Sequence, residues 1–154
     1  MSPFEVIVRA QADYVRCIDE DRLEVWPDFF EDPCTYLITT AANHREGLQA
    51  GIVFATSRGM LVDRVSALRE ANIYERHTYR HILGMPAILS HEADRIRSET
   101  PFLVARIMRD GATDIFATGR YLDLYRIRDG EAKLAERTVV CDSSRIDTLL
   151  ALPL

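Results

Sequence analysis

His77 and His81 stand four residues apart and share one face whether the backbone is helical or extended, so the pair has the spacing of two metal ligands. No third ligand stands at a useful spacing, and Arg76 and Arg80 flank the pair with charge that repels a cation. Hydrogen-bonded packing or interface histidines are the better reading. Cys17, Cys34 and Cys141 are too scattered for a disulfide framework or a paired-cysteine zinc site, and read as small buried hydrophobes with free thiols. An iron–sulfur centre of the Rieske type needs two cysteine–histidine pairs that this chain lacks, and a mononuclear iron needs two histidines and a carboxylate on one face. Acid–base chemistry has its raw material in Tyr14 together with Asp13, His44, Asp63 or His91, yet the spacing converges on no dyad. Gly47 with Gly51, and Gly111 with Gly119, lack the spacing and strand-to-helix context of a phosphate loop.

The elements that must position these groups fall into two halves. Phe4, Ile7, Val8, Gln11, Tyr14, Val15 and Ile18 recur at helical spacing and predict a helix from about Pro3 to Asp19, with Gln11 the polar interruption in its apolar stripe. Leu23 to Phe30 suggests a second short helix around Pro27, with Trp26, Phe29 and Phe30 as a hydrophobic plug. Asp32-Pro33 predicts a turn, Cys34 to Thr40 a strand, Ala41 to Glu46 a polar loop, and Ile52 to Ala55 a further apolar run. Ser57 is a plausible N-cap for a helix through Met60, Leu61, Val65 and Leu68. Arg64 falls on its apolar stripe and must find a carboxylate or carbonyl, within the fold or across an interface.

From Ile82 onward the pattern is strands: Ile82 to Leu89, Ile96 to Met108, Asp114 to Arg128 and Lys133 to Cys141. The pairs Asp110-Gly111 and Asp129-Gly130 are strong hairpin signals and make the last three an antiparallel meander. Phe102, Val104 and Met108 face one way while Leu103, Ala105 and Ile107 face the other, so both sides of the sheet need cover. Pro101 suggests a bulge or bend, and the apolar tail Leu149 to Leu154 needs a groove to lie in. Helices followed by a long curved antiparallel sheet is an α+β order. It fits, by analogy, the cone-shaped nuclear-transport-factor-2-like and cystatin-like (NTF2-like) fold, with residues 1–154 forming a single domain.

Composition narrows the function classes. A net charge of -5 with interleaved acids and bases argues against a nucleic-acid partner. The apolar runs are far short of a bilayer span, and Met1-Ser2-Pro3-Phe4-Glu5 lacks the basic head and apolar middle of a signal peptide, so a cytoplasmic protein is expected. Tyr74, Arg76, His77, Tyr79, Arg80 and His81 crowd cationic and aromatic groups into eight positions. An enzyme would place them in a cleft and a subunit against a neighbour.

The helix Met60-Leu61-Val62-Asp63-Arg64-Val65, the runs Asn72 to His77 and Tyr79 to Gly84, the early Trp26-Pro27-Asp28-Phe29-Phe30 and the closing Glu136-Arg137 to Cys141-Asp142-Ser143 carry a family likeness. Together they resemble the small, β subunit of aromatic-ring-hydroxylating dioxygenases, over nearly the whole length. The resemblance implies an oxygenase of three large (α) and three small (β) subunits that cis-dihydroxylates an aromatic compound such as a dicarboxylate. A Rieske 2Fe-2S cluster and a mononuclear iron would both sit in the α subunit, and a separate reductase would use NADH or NADPH. The small chain would hold no cofactor and no catalytic residue, and would pack against α subunits and its own copies as a trimer. On that reading Arg64, Tyr74, Arg76, His77, Arg80 and His81 are interface anchors. Alanine at Arg76 or His81 is then expected to weaken association and spare the isolated fold. The alternative is a free-standing cone-fold dehydratase or isomerase with a Tyr/His/Asp site inside.

Overall fold

The computed structural model describes residues 1–47, 51–71, 77–143 and 153–154. Helix α1 spans Pro3–Asp19, with Ser2 accepting from the Glu5 amide and the Glu5 carboxylate accepting from that of Ser2. It buries Ile7, Gln11, Tyr14, Val15, Cys17 and Ile18. The stripe is narrower than its spacing predicted, since Phe4 and Val8 lie at its flank and stay exposed. A 3-10 turn follows at Trp26–Phe29 and sets Trp26 and Phe30 edge-to-face at 5.6 Å, the predicted plug.

Strand β1 runs Phe30–Thr40 and therefore passes through Asp32-Pro33, where a turn was expected. The peptide there is cis, and the register shift between Phe30 and Thr35 accommodates a residue with no N–H to give the ladder. Ala41–Arg45, expected as loop, forms a short helix α2 because Thr40 accepts from the Asn43 amide. Strand β2 is Val53–Ala55, and α3 is Arg58–Glu70 with Ser57 accepting from the Met60 amide. Leu61, Val65 and Leu68 face the core, and Arg64 between them is half-buried.

The expected strand Ile82 to Leu89 is two strands, β3 at His77–Leu83 and β4 at Ala87–Glu92. Gly84 and Pro86 break it: Pro86 has no N–H to give, and the Gly84 amide turns to the carbonyl of Pro101 at 2.8 Å. Both strands pair with β5, Arg95–Met108, on either side of Pro101. Strand β6, Thr113–Arg128, and β7, Glu131–Cys141, complete the meander, with Asp129 and Gly130 at φ 52° and 78° as an Asp-Gly hairpin requires. The sheet order is β2-β1-β7-β6-β5-β3, with β4 beside β3 on β5. All pairs are antiparallel except β1 with β7, which closes the curved sheet by running parallel. Helix α1 packs inside that curve, as the α+β cone expectation required.

Alternation then sorts the two sheet faces. Ile96, Ser98, Thr100, Phe102 and Val104 of β5 point inward and are buried. Leu103, Ala105 and Ile107 point outward, beside Arg80 and Ile82 of β3 and Ile115 of β6. Ile82 and Ile115 are 57% and 65% exposed, so the outer face carries apolar groups that no other described residue covers.

Candidate functional site

Strand geometry divides the cluster that looked like one surface. His77, Tyr79 and His81 share the inward face of β3, while Thr78, Arg80 and Ile82 turn outward. Four residues along a strand span about 13 Å, so His77 and His81 cannot ligate one ion. His81 is sealed inside. Its Nδ1 lies 2.6 Å from Asp19 Oδ1, its amide donates to Asp19 Oδ2 at 2.9 Å, and the two side chains are 0% and 3% exposed. His81 thus ties the end of α1 to β3, with its side chain closed off from the surface of the isolated chain. His77 and Arg64 are half-buried and Arg80 is exposed. Tyr74 and Arg76 lie outside the described residues.

The cone interior holds a polar network that the spacing of the sequence did not reveal. Asp123 of β6 and Arg137 of β7 are opposed across the ladder, both side chains fully buried. Arg137 Nε donates to Asp123 Oδ1 at 2.8 Å and Nη2 donates to Oδ2 at 2.9 Å, a bidentate pair, and Nη2 also donates to the Tyr125 hydroxyl at 3.2 Å. The guanidinium sits 3.8 Å from the centroid of the Tyr121 ring and 4.3 Å from that of Tyr14. Gln11, the polar interruption of the α1 stripe, donates to Thr100 Oγ1 at 2.7 Å. Burial pushes the Asp123 carboxyl up against the pull of Arg137 and Gln11. Burial also opposes the Arg137 charge, but Asp123 and Tyr125 outweigh it and keep the guanidinium protonated.

Above this pair the chain's tail enters the cone. Trp26 Nε1 donates to the Tyr14 hydroxyl at 2.9 Å, and that hydroxyl donates to the main-chain oxygen of Leu154 at 2.9 Å. The Tyr36 hydroxyl donates to the same oxygen at 3.0 Å and accepts from the Leu154 amide at 3.1 Å. Pro153 and Leu154 are buried there, while Leu149 to Leu152 of the apolar tail lie outside the described residues.

Among the described residues this interior holds hydroxyl donors, the Asp123–Arg137 ion pair and the buried Asp19–His81 pair, in which His81 Nε2 has no hydrogen-bond partner. Burial raises the phenols of Tyr14, Tyr36, Tyr121 and Tyr125, so each stays protonated at neutral pH. Asp13, His44, Asp63 and His91, the partners a cone enzyme would recruit, are exposed and do not reach Tyr14. Among the described residues no three His, Cys, Asp or Glu side chains converge as a metal site, and the residues present do not fit an iron or an iron–sulfur cluster.

Two predictions follow from the burial. The fold retains the phenol protons while the unfolded chain releases its own near pH 10, so stability should fall as pH rises above that value. Absorbance titration should show at least four of the six tyrosines ionising only with alkaline unfolding. Burial likewise pushes the thiols up, Cys17 to about 11 and Cys141 to about 12. Iodoacetamide at pH 8 should leave both unmodified in the native chain and alkylate both in urea, as read by mass.

The comparisons with known proteins agree with one another. The family model described as "Ring hydroxylating beta subunit" matches residues 14–148. The chain is 55% identical to the terephthalate 1,2-dioxygenase terminal oxygenase component subunit beta 2 of Comamonas sp., over 96% of each chain. It is 41% identical to the anthranilate 1,2-dioxygenase small subunit of Burkholderia cepacia, over 98% of this chain and 93% of that one. Among solved structures it is similar to the beta subunit of an aromatic-ring-hydroxylating dioxygenase of Novosphingobium aromaticivorans, with TM-score 0.91, 39% identity and coverage of 98% and 96%.

Proposed function

This chain belongs to the ring-hydroxylating β-subunit family, and from that premise we propose that it is the structural small subunit of a terephthalate 1,2-dioxygenase. The observation that carries the substrate is the 55% identity to terephthalate dioxygenase small subunits along almost the entire chain. Catalysis belongs to the large α subunit, which would hold the Rieske 2Fe-2S cluster and the mononuclear iron. The assembly would contain three copies of each chain in the cytoplasm, with the small chains trimerised and a separate reductase supplying electrons from NADH or NADPH. The ring would gain both atoms of O2 as a cis-diol, two electrons and two protons completing the balance.

The interior described above supports this division of labour. It is filled by ion pair, aromatic rings and tail, so it braces the sheet from inside. The outer face is left for partners, with Arg80, Ile82 and Ile115 exposed on it; Arg64, Tyr74, Arg76 and His77 remain proposed anchors, Tyr74 and Arg76 lying outside the described residues. The test is co-expression with the large subunit of a terephthalate 1,2-dioxygenase. The purified pair, given reductase and reduced nicotinamide, should consume terephthalate with one O2 per ring, whereas this chain alone should show no turnover. A lone chain that dehydrates or isomerises a substrate would overturn the reading in favour of a cone-fold enzyme.

A further inference from the structure

We propose that the cone contains a built binding site for the main chain and side chain of one N-acylated apolar amino-acid residue, and that Leu154 occupies it in cis. The geometry is that of a receptor for one residue. Two hydroxyl donors, Tyr14 at 2.9 Å and Tyr36 at 3.0 Å, converge on a single main-chain oxygen. Tyr36 reads the second polar atom of the same residue by accepting its amide proton at 3.1 Å. Trp26 Nε1 donates to the Tyr14 hydroxyl at 2.9 Å, which orients that hydroxyl so that its own proton faces the occupant.

The apolar half of the site is as well made. Trp26, Phe30 and Tyr36 stand mutually edge-to-face with centroids 5.3 to 5.7 Å apart, and the occupant's side chain is fully buried. Tyr121, whose ring lies under the Arg137 guanidinium, has a hydroxyl with no hydrogen-bond partner among the described residues, and Arg137 Nη1 is in the same position. A two-point main-chain contact made by two side-chain hydroxyls, one of them oriented by a third group, is a feature of a ligand site. The ligand class follows from the contacts: one amide donor, one carbonyl or carboxylate acceptor and a branched or aromatic apolar side chain.

The test removes the occupant and supplies it in trans. The full chain lacking only Pro153 and Leu154 is titrated calorimetrically with N-acetyl-L-leucinamide. It should bind one equivalent with Kd about millimolar, the range expected for a ligand of this size, and its Tm should rise with probe concentration. Tyr36→Phe in the shortened chain should weaken binding about tenfold, and the full chain, its site filled, should bind none. A folded shortened chain that ignores the probe, or a full chain that binds it equally, would overturn the proposal. If the shortened chain does not fold, amide exchange at Leu154 in the full chain decides. Protection of about a hundredfold, lost in Tyr36→Phe, supports the site, and exchange at the rate of an open peptide refutes it.

Discussion

Asp123→Ala should lower the unfolding free energy of this chain by about 3–5 kcal/mol, the largest single loss expected from any polar substitution in it. Alanine removes both carboxylate oxygens that Arg137 contacts at 2.8 and 2.9 Å and leaves a guanidinium fully buried between the Tyr14 and Tyr121 rings. Cation–π attraction to two rings recovers about 1–2 kcal/mol each at best, less than desolvation of the charge demands. The double variant Asp123→Leu with Arg137→Met should be far closer to the parent, since no charge remains to be compensated. Urea unfolding of the three proteins checks both statements. Equal stability of Asp123→Ala and the double variant would mean that the pair is not sealed from water.

Arg80→Ala combined with Ile82→Asp should cut association with the large subunit at least a hundredfold while leaving the Tm of the isolated chain nearly unchanged. Both side chains point out of β3, Ile82 at 57% exposure, and substitutions at such positions usually move stability by less than about 0.5 kcal/mol. An aspartate there must be stripped of water without a partner when a neighbour closes over the outer face. His81→Ala should behave oppositely. It removes the side-chain half of the Asp19 contact and leaves a buried carboxylate short of a donor, so its loss, about 2 kcal/mol, should appear in the fold before it appears in assembly. Binding assays and thermal melts on the two variants separate these effects.

Much of the architecture was legible because local chemistry and long-range packing agree. Helix α1 begins and ends where its stripe and Pro3 predict, and the two Asp-Gly pairs place the last two hairpin turns. What the sequence hid depends on register. Counting outward from the Asp129-Gly130 turn without a bulge sets Asp123 opposite Glu136, two carboxylates with no reason to pair. The shift between Leu124 and Tyr125 sets it opposite Arg137 instead, and the buried ion pair appears. The only advance signals were Gln11 on an apolar stripe and charged residues at inward positions of otherwise apolar strands. The cluster Tyr74 to His81 misled for a related reason. Treated as one surface it offers five anchors, but a two-residue period sends His81 to Asp19 and Arg80 to the outside. The tail was legible as a segment in need of a groove, and its partners Tyr14 and Tyr36 were not, because they lie more than a hundred positions away.

The central claim is that this chain supports an oxygenase and contributes no reacting group. Turnover per iron in the fully assembled oxygenase carrying Tyr14→Phe, which keeps the interior's shape but removes a hydroxyl from the cone, tests it most directly. The account predicts the same rate per iron and the same product as the parent complex. An assembled, iron-replete complex that has lost its rate would place chemistry inside this cone and contradict it.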